Sequence, residues 1–115
     1  MRTPVPLPGV LAEIAEVAGR DAALALALAH GGEGAFHIPR PEHLARDRSH
    51  PLIALIGRTV ALAVAARCGG GPVYVPLARR ALVLHLAAQG LTTAEIAGRL
   101  GLSRRTARRY RRNRR

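Results

Sequence analysis

TTAEIAGRLGLSRRTARRY, residues 92–110, is a segment in which most positions have a recognisable steric role. Thr92 and Glu95 stand three residues apart, which is the spacing of a capping box at the start of a helix. An apolar helical face follows, and Gly101 then supplies a sharp turn. Ser103 can cap the next helix through its hydroxyl. This order is typical of a helix-turn-helix, whose first helix crosses the DNA backbone and whose second helix enters the major groove.

The second helix of this pattern is rich in arginine. All 18 strongly basic residues of the chain are Arg, and eight of them fall in the last twelve positions. The guanidinium group stays charged and forks onto phosphate oxygens or onto the edge of guanine. We therefore predict contacts with double-stranded DNA. The residues predicted from this motif are Thr92, Thr93, Ser103, Arg104, Arg105, Thr106, Arg108, Arg109 and Arg112.

Charge divides the chain of 115 residues and 12.2 kDa into two parts. Residues 1–76 carry seven Arg and six acidic residues, whereas residues 77–115 carry eleven Arg and one acidic residue. Pro76, a helix breaker, stands at the change. We predict a near-neutral domain over 1–76, assigned to dimerisation on the grounds given below, and a three-helix helix-turn-helix domain over 77–115, with a first helix over Leu77–Ala88.

The first part contains an internal repeat. Residues 19–32 and 57–70 are separated by 38 positions and agree at 8 of 14 sites, including Gly-Arg at the start and Gly-Gly at the end. The shared glycines favour duplication over a chance likeness between two Ala- and Leu-rich helices. Each copy reads short helix, Gly, helix, Gly-Gly, short strand and Pro. The predicted flanking elements are the short helices Val10–Val17 and Leu52–Ile56 and the strands Ala35–Ile38 and Val73–Val75.

Such short strands are not stable alone. Each must pair either with its twin in the repeat or with the same strand of another subunit. Between the two copies, Arg40–His50 is polar and bounded by prolines, so we predict a solvated connector. The fold class is therefore mainly α, with an N-terminal helical dimerisation module that contains short β-strands and a C-terminal three-helix helix-turn-helix.

Catalytic and metal chemistry are not favoured. Three histidines in residues 37–50 and Cys68 match no zinc-site spacing. Asp47, Ser49 and His50 lie too close together in sequence for a catalytic triad. We therefore expect no enzyme activity, no metal and no cofactor.

Cysteine usage and hydropathy bear on location. A single Cys excludes an intramolecular disulfide framework and fits a reducing compartment. No run without a charged residue, Ala22–Gly32 included, reaches the roughly 20 residues that span a bilayer. No secretory signal pattern is present. We therefore expect a cytoplasmic protein without membrane contact.

The chain resembles the Mor transcription activator family of phage-encoded regulators. The residues that carry the resemblance are the two Gly-Gly…Ile/Val-Pro elements (31–39 and 69–76), the segment His50–Gly57 and the helix-turn-helix Gly90–Tyr110. The resemblance implies an intertwined homodimer with one helix-turn-helix per subunit, a dyad-symmetric promoter element and recruitment of bacterial RNA polymerase. It also implies that Tyr74, at an aromatic position of the interface strand, approaches DNA.

Several functions share this sequence pattern. The leading hypothesis is a dimeric, sequence-specific activator of transcription. A repressor of the same fold is an alternative, because fold does not decide the sign of regulation. A nonspecific architectural protein would use the same arginines without reading bases. A recombinase fragment is a further alternative, but residues 1–76 hold no recognisable catalytic domain.

Overall fold

Helices dominate residues 5–112, the part of the chain that the computed structural model describes. These residues form two compact units: residues 8–77, and residues 5–7 together with 78–112. No described helix is long and apolar enough to cross a membrane. The helices are α1 Val10–Ala18, α2 Arg20–His30, α3 Pro41–Arg46, α4 Pro51–Ile56, α5 Arg58–Cys68, α6 Arg79–Ala88, α7 Thr93–Leu100 and α8 Arg104–Arg112, and the strands are β1 Phe36–Ile38 and β2 Gly71–Val73.

The repeat in the sequence builds the same corner twice in the unit of residues 8–77. Gly19 joins α1 to α2 with φ 93°, and Gly57 joins α4 to α5 with φ 84°. Each glycine also closes the preceding helix, because its N–H donates to the carbonyl of Ala15 or of Ile53. Residues other than glycine rarely adopt such φ values. The two glycines therefore allow two short helices to meet at an angle without backbone strain.

The two strands pair with each other inside one chain. They are antiparallel, with Phe36 opposite Val73 and Ile38 opposite Gly71. Of the two arrangements that the sequence left open, the structure therefore has the pairing between twins of the repeat. On the edge where β1 and β2 face each other, their backbone N–H and C=O groups are therefore hydrogen-bonded without a second subunit.

The second strand lies earlier in the chain than its residue types indicate. Val73–Val75 was the predicted strand, but the ladder ends at Val73. The carbonyl of Val75 instead accepts the Gly32 N–H at 2.7 Å, and its N–H donates to the Glu33 carbonyl at 2.9 Å. The turn that follows α2 therefore takes the hydrogen bonds that a continued β1 would have supplied.

The segment Arg40–His50 is not a plain connector, because it contains α3. Pro41 stands at the first helical position, where its missing N–H costs nothing. Leu44 is fully buried and anchors the helix, which packs against α5. A six-residue helix with one buried residue shows too little periodicity to be recognised from sequence.

The core of residues 8–77 is aliphatic, as expected for a chain with 3% aromatic residues. It is formed where α1 packs on α2 and α5, and where α4 packs on α2 and α5. Its most deeply buried large side chains are Leu11, Ile14, Leu24, Leu26, Ile38, Leu44, Leu52, Val64 and Val75.

Residues 78–112 form a small three-helix arrangement in which α6, α7 and α8 contact one another pairwise. The first helix begins at Arg79 rather than at the predicted Leu77, because Ala78 takes a left-handed conformation with φ 48° and cannot continue the helix. The helix ends at Ala88, as predicted. The buried residues of this unit are Ala81, Leu82, Val83, Leu86, Ile96, Ala97 and Ala107.

Candidate nucleic-acid interface

The start of α7 is fixed by the capping box that the sequence predicts. The Thr92 hydroxyl accepts the Glu95 N–H at 3.2 Å, and the Glu95 carboxylate accepts the Thr92 N–H at 2.9 Å. Hydrogen bonds from the backbone and the side chain of Thr92 stabilise the charged Glu95 carboxylate, and they lower its pKa below the usual value. The negative charge thus stays at the positive end of the helix dipole.

The turn between α7 and α8 follows from two residues. Gly101 adopts the left-handed conformation, with φ 66° and ψ 32°, and its N–H donates to the Ala97 carbonyl. The N–H of Leu102 also donates to that carbonyl, at 2.9 Å. Ser103 then caps α8, because its hydroxyl oxygen accepts the Thr106 N–H at 3.0 Å. The turn is therefore closed before α8 begins at Arg104.

One side of α8 faces its own domain. Ala107 is fully buried, and its small side chain lets the helix lie close to its neighbours. One turn further on, Arg111 donates a hydrogen bond to the Thr93 hydroxyl at 3.1 Å and so ties α8 to the start of α7. This role of Arg111 was not predicted. Its spacing of four residues from Ala107 could have indicated it, because such residues share one helical face.

The opposite side of α8 is a row of arginines. Arg105, Arg108, Arg109 and Arg112 occupy positions i, i+3, i+4 and i+7, which share one helical face, and all four are exposed. We call these four residues the arginine face. Arg104 is exposed beside it in the first turn. Among residues 5–112, none of these five forms an ion pair with a carboxylate.

The surrounding charge is also positive. Residues 78–112 hold nine arginines and one acidic residue, Glu95, whose carboxylate is bonded to the backbone of its own helix. The guanidinium of Arg109 lies 5.4 Å from the centre of the Tyr110 ring, and this contact orients a charged group without neutralising it. The unit can therefore attract a polyanion and present planar donors to it.

A comparison with protein families agrees with this geometry. A family model described as a homeodomain-like domain matches residues 75–114, which include α6, α7 and α8. The C-terminal unit is a helix-turn-helix DNA-binding domain. The chain has no significant match among curated proteins or among solved structures.

The structure places most predicted site residues on this helix-turn-helix domain. Ser103 and Thr106 lie together at the start of α8, with their hydroxyl oxygens 3.0 Å apart. Thr92 is exposed at the start of α7, whereas Thr93 is half-buried beneath Arg111. Tyr74 belongs to the other unit, where its side chain is 55% exposed just after β2. Contact of these residues with DNA stays a prediction, and Arg114 and Arg115 lie outside the described residues.

The histidines of residues 37–50 and Cys68, which were considered as metal ligands, lie in the other unit. The Nδ1 atom of His50 accepts the Leu52 N–H at 3.0 Å and so caps α4. Cys68 is half-buried at the end of α5, where burial raises the pKa of its thiol. Among residues 5–112, no three His, Cys, Asp or Glu side chains are grouped in a way that could hold a metal ion.

Proposed function

We propose that the chain is a sequence-specific transcription regulator that inserts α8 into the major groove of its operator. The observation that carries this proposal is the arginine face, which is exposed, has no acidic partner among the described residues and runs along one side of a helix-turn-helix second helix. Bidentate guanidinium groups are the commonest side chains that read guanine in the major groove. Neighbouring arginines on the same face bind phosphates and set the register.

The length of this face favours two copies on the DNA. Arg105 and Arg112 are seven residues apart, which is about 10 Å along a helix at about 1.5 Å per residue. That length spans roughly three base pairs at about 3.4 Å per step. We therefore propose a homodimer whose two α8 helices read half-sites about one helical turn apart.

The resemblance to the Mor family supports an activator that recruits bacterial RNA polymerase to a phage or prophage promoter, working in the cytoplasm of the host cell. β1 and β2 pair within one chain. The proposed dimer therefore does not require an exchange of these strands, because each finds a partner in its own chain.

An architectural, nonspecific DNA-binding role is the second candidate. It is favoured by the composition of the arginine face, in which all four side chains can bind phosphate and none is the Asn or Gln that reads adenine. Such a protein would bind any duplex with nearly equal affinity.

Site selection from random duplex DNA tests the proposal. We expect an enriched sequence that binds about a thousandfold more tightly than bulk DNA at physiological salt. Arg105→Ala should weaken that binding by about 1–3 kcal/mol and relax selectivity at one position. Arg67→Ala is the matched control, since it removes the same charge from an ion pair in the other unit. Equal losses on all sequences would favour the architectural role.

Two further measurements address the finer claims. Light scattering of the complex with DNA should show two chains of 12.2 kDa per duplex site, whereas a single chain would contradict the homodimer. Run-off transcription with purified polymerase distinguishes an activator from a repressor, because the first raises and the second lowers the yield of transcript.

A further inference from the structure

Charge is segregated within the unit of residues 8–77, although the unit is nearly neutral as a whole. Residues 8–39 carry one arginine and four carboxylates, whereas residues 40–77 carry five arginines and two carboxylates. The two copies of the repeat therefore share a backbone plan but differ in sign. A solvated surface has no need for such a separation, because mixed signs reduce repulsion between like charges.

Four of the five arginines of the second half lie on or near α3. Arg46 and Arg48 are exposed at its carboxyl end, and the Arg58 guanidinium reaches the same place, where it donates to the Ala45 carbonyl at 3.3 Å. Arg40 precedes the helix and is exposed as well. We call Arg40, Arg46, Arg48 and Arg58 the α3 basic patch.

Two carboxylates lie close to this patch in sequence, Glu42 on α3 and Asp47 just after it, but neither forms an ion pair with the patch arginines within residues 5–112. None of its four arginines forms an ion pair there, whereas Arg67, on the far part of α5, lies 3.0 Å from Glu16 and 3.9 Å from Glu13. Asp47, the acidic residue beside Arg46 and Arg48, accepts hydrogen bonds from the backbone and hydroxyl of Ser49 instead. In this unit Arg67 is therefore paired with carboxylates of α1, whereas the four arginines of the α3 basic patch form no ion pair among the described residues.

We propose that the α3 basic patch is a second contact with the sugar-phosphate backbone of the DNA that α8 binds. Duplex DNA offers one phosphate per about 1.7 Å of its length, so a short row of guanidinium groups meets several phosphates without regard to sequence. Residues 8–77 connect directly to the helix-turn-helix domain at residues 77 and 78. Because of this covalent connection, DNA that is bound by α8 presents its phosphates to the patch at a high effective concentration.

The patch adds affinity and orientation rather than sequence recognition. Phosphate contacts position a protein on the duplex and carry no base information. The inference rests on the proposed binding of DNA by α8, which brings the duplex to the patch.

The test measures how DNA affinity depends on salt for the full-length chain. The probe is a fluorescent duplex of mixed sequence, about four helical turns long. The affinity of Arg46→Ala/Arg48→Ala is compared with that of the unmodified chain between about 50 and 200 mM salt. Losing two phosphate contacts should reduce the slope of log affinity against log salt concentration by about 1.8. Circular dichroism melts establish that the variants fold.

The control is Arg20→Ala/Arg67→Ala, which removes two positive charges from the same unit outside the patch. An unchanged slope in the control, with a reduced slope in the patch variant, supports the proposal. Equal reductions in both would overturn it, because they would report net charge and not a local contact. An unchanged slope in the patch variant would also overturn it.

Two other outcomes separate this proposal from neighbouring ones. A patch variant with normal DNA binding but reduced run-off transcription would overturn the proposal and indicate an acidic protein surface as the partner. Absence of DNA binding by the unmodified chain would overturn both this proposal and the proposed function, whereas failure of the patch variant alone leaves α8 as the DNA-binding element.

Discussion

Gly98 and Gly101 form a matched pair for testing the backbone of the helix-turn-helix. Both are exposed, and a methyl group added at either would meet no atom within 4 Å. They differ in conformation, because Gly98 lies inside α7 whereas Gly101 has φ 66°. Replacing each by alanine therefore changes backbone preference and leaves side-chain packing untouched.

The expected effects have opposite signs. Gly98→Ala should stabilise the fold by about 1 kcal/mol, since alanine is the better helix former by that amount. Gly101→Ala should cost about 1–2 kcal/mol for the left-handed conformation, partly offset by about 0.5 kcal/mol from a less flexible unfolded chain. The two variants should therefore differ by about 2 kcal/mol in free energy of unfolding.

Urea denaturation followed by circular dichroism measures this difference. The slope of free energy against urea concentration should be the same in both variants, which shows that the change lies in stability. Gly101→Asn should recover part of the loss, because asparagine tolerates the left-handed region. A neutral Gly101→Ala variant would refute the left-handed turn, and a destabilised Gly98→Ala variant would refute an open position inside α7.

Three further predictions address other elements. Ser103→Ala should reduce stability by about 1 kcal/mol in thermal melts, because the α8 cap is lost, and an unchanged melting temperature would contradict the capping role. Leu44→Ala should cost about 2–5 kcal/mol in urea denaturation whereas the exposed His43→Ala should cost little, and similar small losses in both would mean that α3 is not anchored. Because the folded pKa of Glu95 is lowered, its contribution to stability is present above the ordinary pKa of 4.5 and is lost as the pH falls through the folded value. The stability of Glu95→Gln should therefore approach that of the unmodified chain in acid, and a gap independent of pH would contradict this.

Where local chemistry determines the structure, the sequence was sufficient to predict it. The capping box of Thr92 and Glu95, the turn at Gly101 and the cap at Ser103 each depend on residues within four positions of one another, and all are present in the structure. The predicted mainly helical fold class is confirmed, and it too depends on local preference. Ala and Leu favour helix regardless of their distant neighbours.

Where contacts between distant residues decide, the sequence was not sufficient. β2 begins at Gly71, a poor strand former, because pairing with β1 is limited by the Gly32–Val75 hydrogen bond. α3 depends on the burial of Leu44 against α5, which no local pattern reveals. The spacing from Ala107 indicates the side of α8 on which Arg111 lies, but its hydrogen bond to Thr93 joins residues 18 positions apart and follows from no local pattern.

The short reach of the arginine face has a consequence for specificity. A half-site of roughly three base pairs recurs by chance about every 64 base pairs, whereas a genome offers about a million or more competing sites. More phosphate contacts, from the α3 basic patch or elsewhere, raise affinity for all of these sites equally and so add no discrimination. In the proposed homodimer, selectivity therefore comes from a fixed distance between two copies of α8, together with the deformability of the DNA between them.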